Sequence, residues 1–236
     1  MQQQTSITQV VQILLELETR RFTGSLSLIV KQRPVWKFYL RLGRLVWQDG
    51  GAHSKQRWYR HLRQFCPQLT SSQLQAAKLD ERNNAHEVLS HLLGQRLISQ
   101  TQAVELAKTR VVEAVFDVQQ YEWFLARKQR QPDSTALRPH VTPDDAPANL
   151  LVVLETSYVL QVAQQGWQQW AEVGLAQYSP NLFPAVRDLE ILRAQRLTHQ
   201  GAKALRSVSG THSLRDLAFK AKCDVATVTR SLLPLV

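Results

Sequence analysis

Apolar and polar residues alternate with period two over three short stretches near the start of the chain. From Ser25 to Lys31, Leu26, Leu28 and Val30 share one face and Ser25, Ser27 and Lys31 the other, Ile29 being the one apolar exception. After a turn at Gln32-Arg33-Pro34, Trp36, Phe38, Leu40 and Leu42 alternate with Lys37, Tyr39 and Arg41. The Leu42-Gly43-Arg44 corner then returns the chain through Leu45, Val46 and Trp47, so three antiparallel strands are expected. Gly43, Gly50 and Gly51 read as turn residues at positive φ.

The period then changes to that of a helix. From about Ser54, Trp58, Leu62 and Phe65 recur at i, i+4 and i+7 up to the stop at Pro67, which assigns Arg57, Arg60, His61 and Gln64 to the opposite, exposed face. An earlier helix is signalled by Ser6-x-x-Gln9 with Val10, Val11, Leu14 and Leu17 on one stripe. Further helices are expected over Ser71–Leu79, over Ala85–Leu93 closed by Gly94, and from Ser99-x-x-Gln102 through Val118. Tyr121–Ala126 alternates and is expected to be a short final strand that rejoins the first three.

Lys128 to Ala148 holds four prolines and almost no large apolar residue, the composition of a loop or linker. The expected organisation is therefore an α+β sheet-and-helix part over 1–127, a Pro-rich linker or loop over 128–148 and a helical part over 149–236. In the last part Asn149 caps a helix through Leu154, Tyr158 and Val162 toward Trp167 and Trp170, with a bend or end at Gly166. Thr198, Ser213-x-x-Asp216 and Asp224 cap three short helices in a helix-turn-helix-like arrangement.

Composition narrows the function. With 236 residues and 44% hydrophobic content the chain can bury a core. No stretch approaches the roughly 20 apolar residues of a membrane span, and the polar start MQQQTSITQ lacks the order of a secretion signal, so a cytoplasmic protein is expected. Cys66 and Cys223 stand in no metal or CxxC spacing and read as free thiols. A formal charge of +10, from 29 Lys and Arg against 19 Asp and Glu, favours acidic partners.

Catalytic signals are weak. His86 and His91 are five apart, which places them about 140° apart around a helix instead of on the single face a shared zinc ion needs. No GxxxxGK[ST], GxGxxG or GxSxG occurs, and neither Glu16 with Glu18 nor Asp144 with Asp145 reads as an acid/base pair. The expectation is a chain that is not an enzyme and takes no cofactor or metal. Trp36 and Trp58 are assigned to the core, Tyr39 and one or two of the other aromatics are left to face out, and the partner-facing candidates are Tyr39, Arg41, Arg44, Arg57, Arg60 and Arg63, whose arginines can grip carboxylates in bidentate fashion.

Several separated segments, TGSLSLIV, WKFYLRLGRLVWQDGG, RWYRHLRQFCP, YSPNLFPAV and SLRDLAFKAKCDVATVTRSLLPLV, together resemble the PATAN domain, the amino-terminal module of PatA-type cyanobacterial response regulators. The resemblance spans almost the whole chain. It implies a non-catalytic output module, normally followed by a phosphoacceptor receiver, in proteins that control pilus-driven motility and phototaxis or cell differentiation. The partners it implies are a pilus motor ATPase or a blue-light photoreceptor. Nothing after Asn149 has the acidic pair, strand-end Asp and late Lys of a receiver, so a receiver is expected beyond Val236 or not at all. The alternative is a nucleic-acid-binding transcriptional regulator that uses the basic helix or the C-terminal helix pair.

Overall fold

The computed structural model of the chain describes residues 8–77, 85–127, 136–147, 152–185 and 208–233. The three alternating stretches form an antiparallel meander of β1 (Gly24–Val30), β2 (Arg33–Arg41) and β3 (Arg44–Gly50). Each hairpin closes through two residues at positive φ, Lys31 and Gln32 in the first and Leu42 and Gly43 in the second. Two such residues make the turn type whose twist matches that of paired strands. The first turn therefore falls a residue earlier than its Pro34 suggested, and Pro34 sits in β2 opposite Ile29, where the register shifts.

Leu26, Leu28, Trp36, Phe38 and Leu40 are buried, as their alternation requires. Helix α1 (Gln9–Thr19) adds Val10, Val11, Leu14 and Leu17 to the same core. Its expected cap at Ser6 lies outside the described residues. Val10 N–H instead donates to Glu122 Oε1 at 3.0 Å, which sets a carboxylate against the positive end of the helix.

Helix α2 (Ser54–Phe65) follows the second hairpin, then α3 (Ser71–Ala76), α4 (Ala85–Gly94) and the 28-residue α5 (Gln100–Arg127). The α5 start is as its sequence signals: Gln102 N–H donates to Ser99 Oγ at 3.2 Å and Ser99 N–H to Gln102 Oε1 at 2.9 Å.

The expected strand over Tyr121–Ala126 is instead the last two turns of α5. No Gly or Pro interrupts the chain between Gly94 and Pro132, so the helix has nothing to stop it, and packing overrides the strand preference of the aromatics. Tyr121 packs on Trp36 at 5.7 Å between ring centroids, and Trp123 meets Trp167 at 6.1 Å. The fourth strand is β4 (Arg138–Pro143), from the proline-rich stretch expected to be a linker or loop, and it pairs antiparallel with β1. The sheet order is β3-β2-β1-β4. Its alternation was hidden because both β4 prolines belong to an edge, where a missing N–H costs no ladder bond.

Helix α6 (Thr156–Glu172) begins after the position assigned to Asn149, which lies outside the described residues, and runs through Gly166 unbroken. The chain divides into two compact units, Met1–Gln169 and Trp170–Val236. In the second, α7 (Leu214–Ala221) and α8 (Val225–Leu232) pack through Leu214, Leu217 and Leu232. Both carry the expected caps: Ser213 and Asp216 form a capping box, and Asp224 accepts from Ala226 N–H at 2.8 Å. The helix expected after Thr198 lies outside the described residues. The fold is α+β, a four-stranded antiparallel sheet with flanking helices and a helical C-terminal part.

Candidate functional site

Six side chains were expected to face a partner, and burial separates them. Arg41 and Arg44 flank the β2–β3 turn and are exposed; Arg63, in the last turn of α2, is exposed too. Tyr39 is half-buried, with Lys37 5.0 Å from its ring centroid, and Lys37 in turn pairs with Asp145 at 2.7 Å. The Lys37 and Ser25 hydrogen bonds hold the Asp145 carboxyl below its usual pKa. Arg57 and Arg60, read as the exposed face of α2, are buried, and so is His61 between them and Leu62.

What draws these cations inward is the open edge of β3. The Gly50 carbonyl accepts from Arg57 Nη2, and the Gln48 carbonyl accepts from Arg110 Nε at 2.6 Å. Arg57 Nη2 also donates to Gln48 Oε1 at 3.2 Å. Toward the other end of the strand, Leu45 O accepts from Leu154 N–H at 2.8 Å and Leu45 N–H donates to Thr156 Oγ1 at 2.9 Å. Backbone groups that a neighbouring strand would otherwise satisfy are thus closed by side chains and a crossing segment, which is how a sheet edge is protected from unwanted pairing.

Charge balance around this plug comes from two carboxylates. Glu113 Oε2 lies 2.6 Å from Arg60 Nη2 and 3.3 Å from His61 Nε2, and Asp49 Oδ1 lies 3.6 Å from Arg110 Nη2. Arg110 also packs over Trp47, 5.1 Å from its ring centroid. Burial, and then the Arg57 charge, lower the Arg110 pKa, against the support of Asp49 and Glu113. Burial likewise lowers that of His61, which Glu113 opposes. The network is a structural tie among β3, α2 and α5. Its arginines are spent inside the fold.

The opposite edge is closed differently. Pro139 and Pro143 of β4 share the parity of Val141 and have no N–H, so that edge is short of donors for an added strand. With both edges blunted, docking by strand addition is disfavoured, and recognition falls to side chains.

The β2–β3 tip is where side chains project. Arg41 and Arg44 are direct cross-strand partners, and neither has an ion-pair partner among the described residues. Between them Leu42 is 67% exposed. The tip is held from two sides: Leu42 N–H donates to Thr23 Oγ1 at 3.0 Å, Gly43 N–H to Phe22 O at 2.8 Å, and Thr156 Oγ1 to Gly43 O at 2.9 Å. A Cβ at Gly43, already at φ +79°, would stand 2.5 Å from Glu18 O, so only glycine fits there.

Sequence reasoning passed over Leu42, which it counted as an inward strand position, and Arg110 and Glu113. The available signals were an apolar residue where Asn or Gly normally opens a two-residue hairpin, and two charges set among Ala107, Val111 and Ala114 on a buried stripe.

In the second unit α7 and α8 are joined by Lys222, Cys223 and Asp224, with Lys220, Lys222, Thr227 and Arg230 exposed. Asp224 sits at the N-terminus of α8, the end that a recognition helix would offer to bases. Its hydrogen bond from Thr227 holds it below the usual carboxylate pKa, so that end carries a negative charge toward any phosphate.

His86 is buried, 5.5 Å from Trp47 between ring centroids, whereas His91 is exposed. Among the described residues no helix is long and apolar enough to cross a membrane. No protein-family model, curated protein or solved structure matches the chain.

Proposed function

We propose that the chain is a non-catalytic signalling output module that docks a protein partner, in line with its resemblance to the PATAN domain. By that resemblance the process served is pilus-based motility and phototaxis or cell differentiation under a two-component response regulator, in the cytoplasm, and the partner is a pilus motor ATPase or a blue-light photoreceptor. The observation that carries the reading is the β2–β3 tip, where exposed Arg41 and Arg44 project from a hairpin tied down on both sides. Guanidinium groups held on a rigid support suit bidentate capture of carboxylates on a protein face.

Nucleic-acid binding has weaker support, because α8 presents a single Arg and a capping carboxylate. The test is affinity capture from native lysate with the full chain as bait, nuclease-treated and at two salt concentrations. A defined protein retained through nuclease and higher salt is expected. Recovery only of nucleic-acid-dependent material, lost with a log-log salt slope near −0.9 per phosphate contact, would replace the reading with the nucleic-acid one.

A further inference from the structure

Three locally unfavourable features coincide at the β2–β3 tip. Leu42 adopts φ +49°, a left-handed conformation that crowds any Cβ; of the eight non-glycine residues at positive φ among the described ones, it alone is apolar. It is also 67% exposed. Arg41 and Arg44 stand directly opposite each other, a like-charge pairing that opposes the hairpin. Asn or Gly at position 42 would relieve the first two at once. Places where a chain breaks local rules are where function is to be sought.

The surroundings extend the same chemistry. Residues 18–23 run against the tip, as the Thr23 and Phe22 hydrogen bonds show, and bring exposed Arg20 and Arg21. Residues 153–158 reach it through Leu154 and Thr156, bringing exposed Val153 and Tyr158. Glu18 and Glu155 are the acids on these segments, and Glu18 accepts from Ser157 N–H at 3.3 Å. Four arginines thus outnumber two carboxylates around an exposed apolar point.

We infer that Leu42 is the apolar anchor of a docking surface that takes an acidic, leucine- or aromatic-bearing segment of a partner protein, with Arg41 and Arg44 gripping carboxylates on either side. This rests on the docking reading above and names the chemistry of its partner. Charge complementarity selects an acidic occupant, and arginines, which are over-represented among the residues that carry binding energy, flank the exposed apolar side chain that the occupant would cover.

The test is selection of a phage-displayed random 12-residue peptide library on the intact chain, with binding of the enriched peptides then measured to wild type, Leu42→Asn and Arg41→Glu. Acidic peptides with Leu or an aromatic residue are expected. Leu42→Asn should weaken them at least tenfold while raising the melting temperature by about 2–4 °C, so loss of binding is not loss of fold. Enrichment of peptides lacking acidic residues, equal binding to Leu42→Asn, or no enrichment overturns the inference. Capture of the same lysate protein by wild type and Leu42→Asn would leave the docking reading standing and remove only this surface; no capture by either would remove both.

Discussion

Replacing Glu113 by Gln isolates the charge that balances the buried arginines. Glu113 Oε2 meets Arg60 Nη2 at 2.6 Å, with the two side chains 16% and 7% exposed, and it also supports His61 and Arg110. Removing one partner of a buried pair costs about 3–5 kcal/mol, because the remaining charge stays desolvated. Gln keeps an acceptor for Arg60 and Glu113 is not wholly sealed, so the loss expected here is about 3 kcal/mol, or a fall in melting temperature of roughly 6–12 °C. Glu105→Gln is the matched control. Its pair with Lys108 has the same 2.6 Å length but is 41% and 28% exposed, which limits its effect to about 0.5 kcal/mol or less. Urea unfolding followed by tryptophan fluorescence reads both, since Trp36, Trp47 and Trp58 are buried in the same unit. A loss below about 1 kcal/mol for Glu113→Gln, or equal losses for the two variants, would refute the claim that burial makes this ion pair matter.

Gly43→Ala should cost more than about 1 kcal/mol by urea unfolding, because of its positive φ and the 2.5 Å approach to Glu18 O; a neutral result would mean that the tip is not tied to α1. Stability should be nearly flat between about pH 6.5 and 8 and fall below that range, since the unfolded His61 takes up a proton there while the folded ring, its pKa lowered by burial, resists one; the slope should shrink in His61→Gln. Ellman's reagent at pH 8 should titrate Cys223 at once and Cys66 only on unfolding, because Cys66 is buried and its thiol is pushed up to about 11; two fast thiols would contradict the packing of the α2 end.

The sheet and its helices were largely legible because period-two alternation and capping residues are local signals. Ser99 with Gln102, Ser213 with Asp216, and Asp224 all act where their spacing placed them. Two local readings failed for the same reason. Tyr121–Ala126 alternates like a strand but continues α5, where Tyr121 and Trp123 find aromatic partners distant in sequence. Residues 138–143 look like a linker but form an edge strand, because Pro139 and Pro143 are harmless on a side with no neighbour.

The candidate site was half legible. Helical period correctly placed Arg57 and Arg60 opposite the apolar stripe of α2, and on a free helix that face would meet water. Here β3 presents unpaired carbonyls to it, and α5 brings Glu113 and Arg110, so the basic face became interior. No pattern within α2 reports the needs of a strand edge. Reversing Arg57 or Arg60 to Glu is therefore expected to disrupt the fold, not to test docking. Arg41 and Arg44 kept their exposure because they adjoin the buried pair Leu40 and Leu45, and strand alternation turns them to the opposite face of the sheet.

The most direct test compares wild type with Arg41→Glu/Arg44→Glu as bait in nuclease-treated native lysate, after confirming equal melting temperatures. Loss of a protein that wild type retains is the outcome predicted for docking through the β2–β3 tip. Retention of that protein by the folded double variant would contradict the account.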